Sequence, residues 1–235
     1  MDANLGPYQE DQIYQGNAFI LGTDVPAACA DLIMCDPVWN DWNQYTWTVH
    51  FASSVLKPGG NLLMQTAPPN LWELVALVRA AADGCGNMIP VTIISETFPY
   101  AMNTHFGTRT RQGWKPWMWL RKESEPGMPK IPWKHFVSDR FTSRGTDLTL
   151  HKWGDKPEFA VYYMLHLTEP GALVIDPFTG SGTVPVVAKS LRRRFLAFEI
   201  DPLTFADTSV RLEGTTPGLD LDALHSLEQL GLLDE

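Results

Sequence analysis

Leu173-Val-Ile-Asp176-Pro177-Phe178-Thr179-Gly180-Ser181-Gly182-Thr183 carries an apolar run straight into a glycine-rich loop. The apolar residues predict a buried strand ending at Asp176, and the residues from Val184 onward predict a helix over 184–191. Glycines let the backbone approach a ligand closely and aim amide N–H groups at it. A second strand, Phe195–Phe198, follows and ends at Glu199, 23 positions after Asp176. Sheets of this kind place there a carboxylate that holds ribose hydroxyls. A dinucleotide loop needs a third glycine where this chain has Pro185, and no Gly-Lys-Ser/Thr follows, so a P-loop is excluded. A nucleoside ligand without phosphates fits the loop better.

Upstream the same grammar repeats. Asp31-Leu-Ile-Met-Cys35 is a short apolar run stopped by Asp36-Pro37, because proline cannot continue a central ladder. A helix is expected over 46–56, then a Lys57-Pro-Gly-Gly60 turn and the strand Asn61–Gln65. A helix over 70–82 and a strand Ile89–Glu96 come next, and after residue 157 a helix Glu158–Leu167 precedes the strand Ala172–Ile175. Alternating strands and helices predict an α/β domain: a mostly parallel twisted sheet with helices on both faces. Asp36-Pro37-Val38-Trp39 then lies at the sheet edge where such folds bind ligands. An aromatic amine is a poor nucleophile, its lone pair being delocalised into the ring. Asp36 can accept one N–H and the Pro37 carbonyl the other, freeing that lone pair. Trp39 offers a face on which an extruded base can stack.

Between about 99 and 150 the pattern breaks into Trp, Arg, Lys, Pro and Gly, too long for a simple connection. From His105 to Lys156 there are 11 Lys/Arg against 5 Asp/Glu, although the whole chain carries −9. A basic island in an acidic body can hold a phosphate backbone on one face. Arg109, Arg111, Lys115, Lys130, Lys134, Arg140 and Arg144, with Trp114, are the expected contacts to such a backbone. Trp117 and Trp119 alternate in a strand-like run and are expected in the core. Leucines at 221, 224, 227 and 230 predict a C-terminal helix at about 217–234, docked on the body, with a homodimer contact as the alternative. Cys29, Cys35 and Cys85 form neither a disulfide framework nor a metal spacing, and His105, His135 and His151 make no metal set. No run of about 18 apolar residues and no secretory leader is seen, so a cytoplasmic protein without a membrane span, nucleoid-associated through DNA, is expected.

Together the two motifs resemble those of the S-adenosylmethionine-dependent DNA amino-methyltransferases, N6-adenine or N4-cytosine type, in the permuted order of the β group. In that family an Asp-Pro-Pro-Tyr/Trp motif comes first, a recognition segment next, and Asp-Pro-Phe-x-Gly-Ser-Gly-Thr last. The resemblance spans residues 13–212 and implies a Rossmann-like class I methyltransferase fold with circularly permuted motif order. It implies a catalytic set of Asp36, Pro37, Val38 and Trp39. It implies a cofactor set of Asn17, Asp36, Lys156, Asp176, Pro177, Phe178, Thr179, Gly180, Ser181, Gly182, Thr183, Glu199 and Ile200, with Phe178 near the sulfonium. Tyr14-Gln-Gly16-Asn17 matches a stretch that usually ends in Gly-Asp, so Asn17 reads the cofactor adenine without a charge. Val38 stands where the family has a second proline, which is expected to loosen the backbone there. Aspartate at position 36 points to adenine N6, cytosine N4 being the alternative. A catalytically weakened nucleic-acid-binding homologue and a methyltransferase of RNA or protein are the other readings. With no length left for an endonuclease, a stand-alone modifier is expected, whether or not a restriction partner exists.

Overall fold

The computed structural model describes residues 4–66, 70–99, 103–105, 110–124, 137–143 and 157–216. Arg109, Lys130, Lys134, Arg144, Lys156 and the 217–234 tail lie outside these residues.

The principal sheet has eight strands: β1 (Gln12–Gln15), β2 (Ala30–Cys35), β3 (Leu56–Gln65), β4 (Met88–Thr97), β7 (Trp114–Lys122), β8 (Arg140–Thr142), β9 (Leu173–Asp176) and β10 (Arg194–Glu199). Their order is β1-β10-β9-β2-β3-β7-β4-β8, while β5 (Asn103–His105) and β6 (Thr110–Gln112) form a separate antiparallel pair. Five neighbours run parallel, and β7 alone is antiparallel to both of its partners, β3 and β4. From β9 the chain steps outward to β10, and from β2 it steps the other way to β3. The direction reverses between β9 and β2, which pair Leu32 with Val174 and Ile33 with Ile175. At such a switch point a crevice opens beyond the carboxyl ends of the strands.

Alternation along the strands sorts side chains between two cores. Ile33, Cys35, Leu62, Met64, Ile175 and Phe198 face α2 (Trp42–Val55) and α3 (Leu71–Cys85). Leu32, Met34, Leu63, Val174 and Ala197 face α4 (Glu158–Leu167) and α5 (Thr183–Ser190). Helix ends follow local chemistry. Asp41 caps α2 by accepting the Asn43 N–H, and Asp201 caps α6 (Pro202–Glu213), with proline in its first turn. The short α1 (Ala18–Leu21) is capped by Asn17, whose side chain accepts the Phe19 N–H at 2.9 Å. Among the described residues no helix is long and apolar enough to cross a membrane.

Three local expectations differ from the structure. The α2 helix starts at Trp42, four residues early, because the Asp41 cap sets its start. Lys57-Pro-Gly-Gly60 is not a turn before a strand: it lies inside β3. The ladder absorbs it as an irregularity, Ala30 pairing with Leu56 but Leu32 with Asn61. Gly59 there takes φ +82, open to glycine at no steric cost. The 99–150 stretch also supplies β7, which sits between β3 and β4 in the sheet, so residues 114–122 belong to the core layer rather than to an appended segment.

Candidate active site

Five strands that feed the α4/α5 core have, at their carboxyl end or one residue from it, a polar residue two places beyond an apolar one. Met34 leads to Asp36, Leu63 to Gln65, Ile94 to Glu96, Val174 to Asp176 and Ala197 to Glu199. The two-residue period keeps each pair on one face, so the polar ends gather at a single rim. Two adjoining cavities open there. The first, about 240 Å³, is lined by Asp36, Gln65, Glu96, Trp117, Phe159 and Asp176, together with Phe178, Thr179, Gly180, Ser181 and Thr183. The second, about 380 Å³, is lined by Asn17, Phe19, Val38, Pro177, Glu199 and Ile200, again with Asp36, Phe178 and Gly180. Asp36, Phe178 and Gly180 are common to both and mark the junction.

The glycine loop is held from several sides. Gly180 N–H donates to Glu199 Oε2 at 2.8 Å, and the Thr208 hydroxyl donates to Gly180 O at 2.7 Å. Phe178 N–H donates to Asp176 Oδ1 at 3.1 Å, and Thr179 Oγ1 to Asp176 O. Gly182 has φ +81, and a Cβ there would stand 2.4 Å from Thr208 Cγ2. It therefore serves helix packing and lines neither cavity. Glu199 is buried, and its other oxygen accepts the Asp201 N–H. Burial pushes the Asp176 carboxyl up to about 8, with repulsion from Glu199 and Asp36 adding to it and the Phe178 N–H opposing. Three acids thus converge on one junction.

Asp36 is exposed and accepts the indole N–H of Trp39 at 3.2 Å. Trp39 lines neither cavity, so it sits as a partner of the carboxylate rather than as a wall. Pro37 is buried and Val38 exposed. The looser backbone expected at Val38 is not what the structure shows. Val38 N–H donates to Gln44 Oε1 at 2.9 Å, a bond a proline could not make, and Asp41 N–H donates to Val38 O. Phe178 meets Trp47 edge-on, and Trp47 stacks on Phe51 at 4.7 Å, which fixes the ring at the junction.

The basic set divides. Arg111 and Arg140 are exposed, Trp114 is half-buried, but Lys115 is only 6% exposed and lies over the Phe98 ring. Lys115 is therefore packed into the sheet layer, unlike the exposed Arg111 and Arg140. Trp117 and Trp119 are buried, as their alternation predicts, and Trp117 also walls the first cavity. Sequence reasoning missed Gln65, Glu96, Phe159 and Phe19. A polar residue closing an apolar alternation at a strand's carboxyl end was the available signal for the first two.

Residues 133–208, under half the chain, match the family model for DNA methylase of the N6/N4 type. The Type II methyltransferase M.XycI of Xanthomonas campestris pv. cyanopsidis is 43% identical over 47 residues, 20% of this chain. That match spans 16% of the curated relative's length. The M1.HpyAVI–SAM complex superposes with a TM-score of 0.67 at 20% identity, over 86% of this chain and 98% of that one. The cytosine-N4-specific PvuII DNA methyltransferase gives 0.69 at 18%, over 95% and 93%. The fold is that of the class I methyltransferases. In this methyltransferase fold the Asp36 strand precedes the Asp176 strand in the chain, and the sheet nevertheless places them side by side.

Proposed function

We propose that the chain is an S-adenosylmethionine-dependent DNA methyltransferase that modifies an exocyclic amino group, adenine N6 ahead of cytosine N4. The observation that carries this reading is the shared junction of Asp36, Phe178 and Gly180 between the two cavities. One cavity suits a nucleoside, and the other suits the acceptor. The cofactor's cationic groups match the acids Asp176 and Glu199, which flank the glycine loop. Phe19 and Ile200 offer apolar faces for an adenine, Glu199 an acceptor for ribose, and Asn17 an uncharged acceptor for an amine. Lys156 is assigned to the same site from the family resemblance.

S-adenosylmethionine supplies an electrophilic methyl group. The protein's own part is to present the nucleophile. Asp36 accepts one amino N–H and the Pro37 carbonyl the second, which turns the nitrogen lone pair toward the methyl group. Trp39 orients Asp36 through its indole N–H. The proton lost from the amine passes to solvent by way of the exposed Asp36. Arg111 and Arg140, both exposed, hold the DNA backbone together with Arg109, Lys130, Lys134 and Arg144 of the same stretch.

The test is transfer of labelled methyl groups to unmethylated phage DNA, followed by digestion to nucleosides. Label in N6-methyldeoxyadenosine is expected. Label in N4-methyldeoxycytidine alone would reverse the base choice, and label in RNA or protein but not DNA would sink the reading.

A pH effect follows from Asp176. Its raised pKa means the ligand-free fold binds a proton there that the unfolded chain gives up near the ordinary carboxylate range. Its contribution to stability is therefore present at low pH and is lost as pH rises toward about 8. A cationic ligand favours the carboxylate and expels that proton. Cofactor affinity should rise by up to about tenfold per pH unit below 8 and level off above. Calorimetry in buffers of different ionisation enthalpy should register one proton released at pH 7.

A further inference from the structure

Gln65 ends β3 at the rim of the first cavity and has no exposed surface. Neither its Oε1 nor its Nε2 has a hydrogen-bond partner among the described residues. A buried carboxamide left in that state is costly, and native folds rarely keep one without a use. It pairs across the ladder with Trp117, whose ring stacks on Phe159 at 4.4 Å and 21°. The Trp117 indole N–H is itself held by Glu96 Oε2 at 2.9 Å, so the aromatic wall beside Gln65 is fixed in place. Asp36 lines the same cavity. A carboxamide that wants a donor and an acceptor side by side thus shares a slot with a flat wall and a carboxylate.

We infer that Gln65 reads the Watson–Crick or Hoogsteen edge of the extruded base, its amide pairing with the amino group and the ring nitrogen next to it. This rests on the methyltransferase reading above. An amide alone is indifferent, because it can flip to suit guanine or thymine as readily as adenine or cytosine. Asp36 removes that freedom, since a carboxylate only accepts and therefore demands an amino N–H on its side. The Gln65 carbonyl then shares the second amino N–H with the Pro37 carbonyl, and its NH2 donates to the ring nitrogen. Gln65 is the specificity residue for amino-bearing bases, and Asp36 sets the direction in which it reads.

Gln65→Leu keeps the volume and removes both polar atoms, with Gln65→Met as a second variant should Leu misfold. The expected result has three parts. Thermal stability of the ligand-free protein stays level or rises, because an unpartnered polar group is gone. S-adenosylmethionine affinity by calorimetry stays within about twofold, while kcat/KM for DNA falls about 10- to 100-fold, the loss of one bidentate base contact. A parallel fall in cofactor affinity would overturn the inference and give Gln65 to the cofactor's amino-acid tail. Unchanged turnover would overturn it too. A binding arm judges Gln65 without turnover: adenine, with purine as comparator, is titrated into protein loaded with S-adenosylhomocysteine. Wild type should prefer adenine and Gln65→Leu should lose the preference; equal preference in both proteins counts against the inference. Should the wild type label no DNA base, the proposed function fails on that ground, and the titration still decides Gln65.

Discussion

Asp36→Ala should lower methyl transfer by about 10²- to 10³-fold, the usual loss when one preorganised polar contact to a transition state is removed. Cofactor affinity should stay within a few-fold, because the glycine loop and Glu199 are bonded to each other and not through Asp36. The substitution leaves the Trp39 indole N–H without that acceptor, but the site is exposed and water replaces it. Trp39→Phe isolates this contribution and should cost less than the loss of the carboxylate. A second readout makes the assignment harder to imitate. Asp36 is one of the charges that push Asp176 upward, so its removal should move the pH profile of cofactor binding to lower pH. Asp36→Asn keeps an acceptor oxygen and removes the charge, so it should shift that profile alike while retaining more turnover. Full turnover in Asp36→Ala would remove the carboxylate from the mechanism.

Much of this site was legible in the chain because parallel strands announce their ends. An apolar run halted by a polar residue and proline, as at Cys35-Asp36-Pro37 and Ile175-Asp176-Pro177, marks the carboxyl edge where ligands bind. The glycine loop and Glu199 follow from the same rule. What stayed hidden depends on partners far away in sequence. Trp114–Lys122 carries Lys115, Arg121 and Lys122, and its charges argue for a surface segment until β3 and β4 close on either side. Lys122 Nζ then caps the Leu56 carbonyl, and Arg121 Nε the Gly59 carbonyl. These cations satisfy the sheet's own carbonyls. Gln65 was hidden for a related reason: it reads as the polar last residue of a strand, and its burial depends on packing that includes the distant Trp117, its partner across the ladder.

Gly180→Asp should weaken cofactor binding by about 10- to 100-fold, the range set by forcing atoms into an already filled site. The fold itself should tolerate the change. Gly180 has φ +50, a region aspartate and asparagine visit more readily than other side chains, and a Cβ there would meet nothing nearer than Phe178 O at 4.0 Å. Gly182 offers the contrast, because its Cβ would collide with Thr208 and Gly182→Ala should unsettle α5 before any ligand is added. Sterics and charge act in opposite directions at position 180. A fourth carboxylate beside Asp36, Asp176 and Glu199 would attract a cation, yet the side chain would occupy the junction that both cavities share. Gly180→Asn has nearly the same bulk and no charge, so equal losses in Asn and Asp identify sterics as the winner. Tighter binding in Gly180→Asp would mean the loop does not cradle the ligand, and the junction would lose its place in the mechanism.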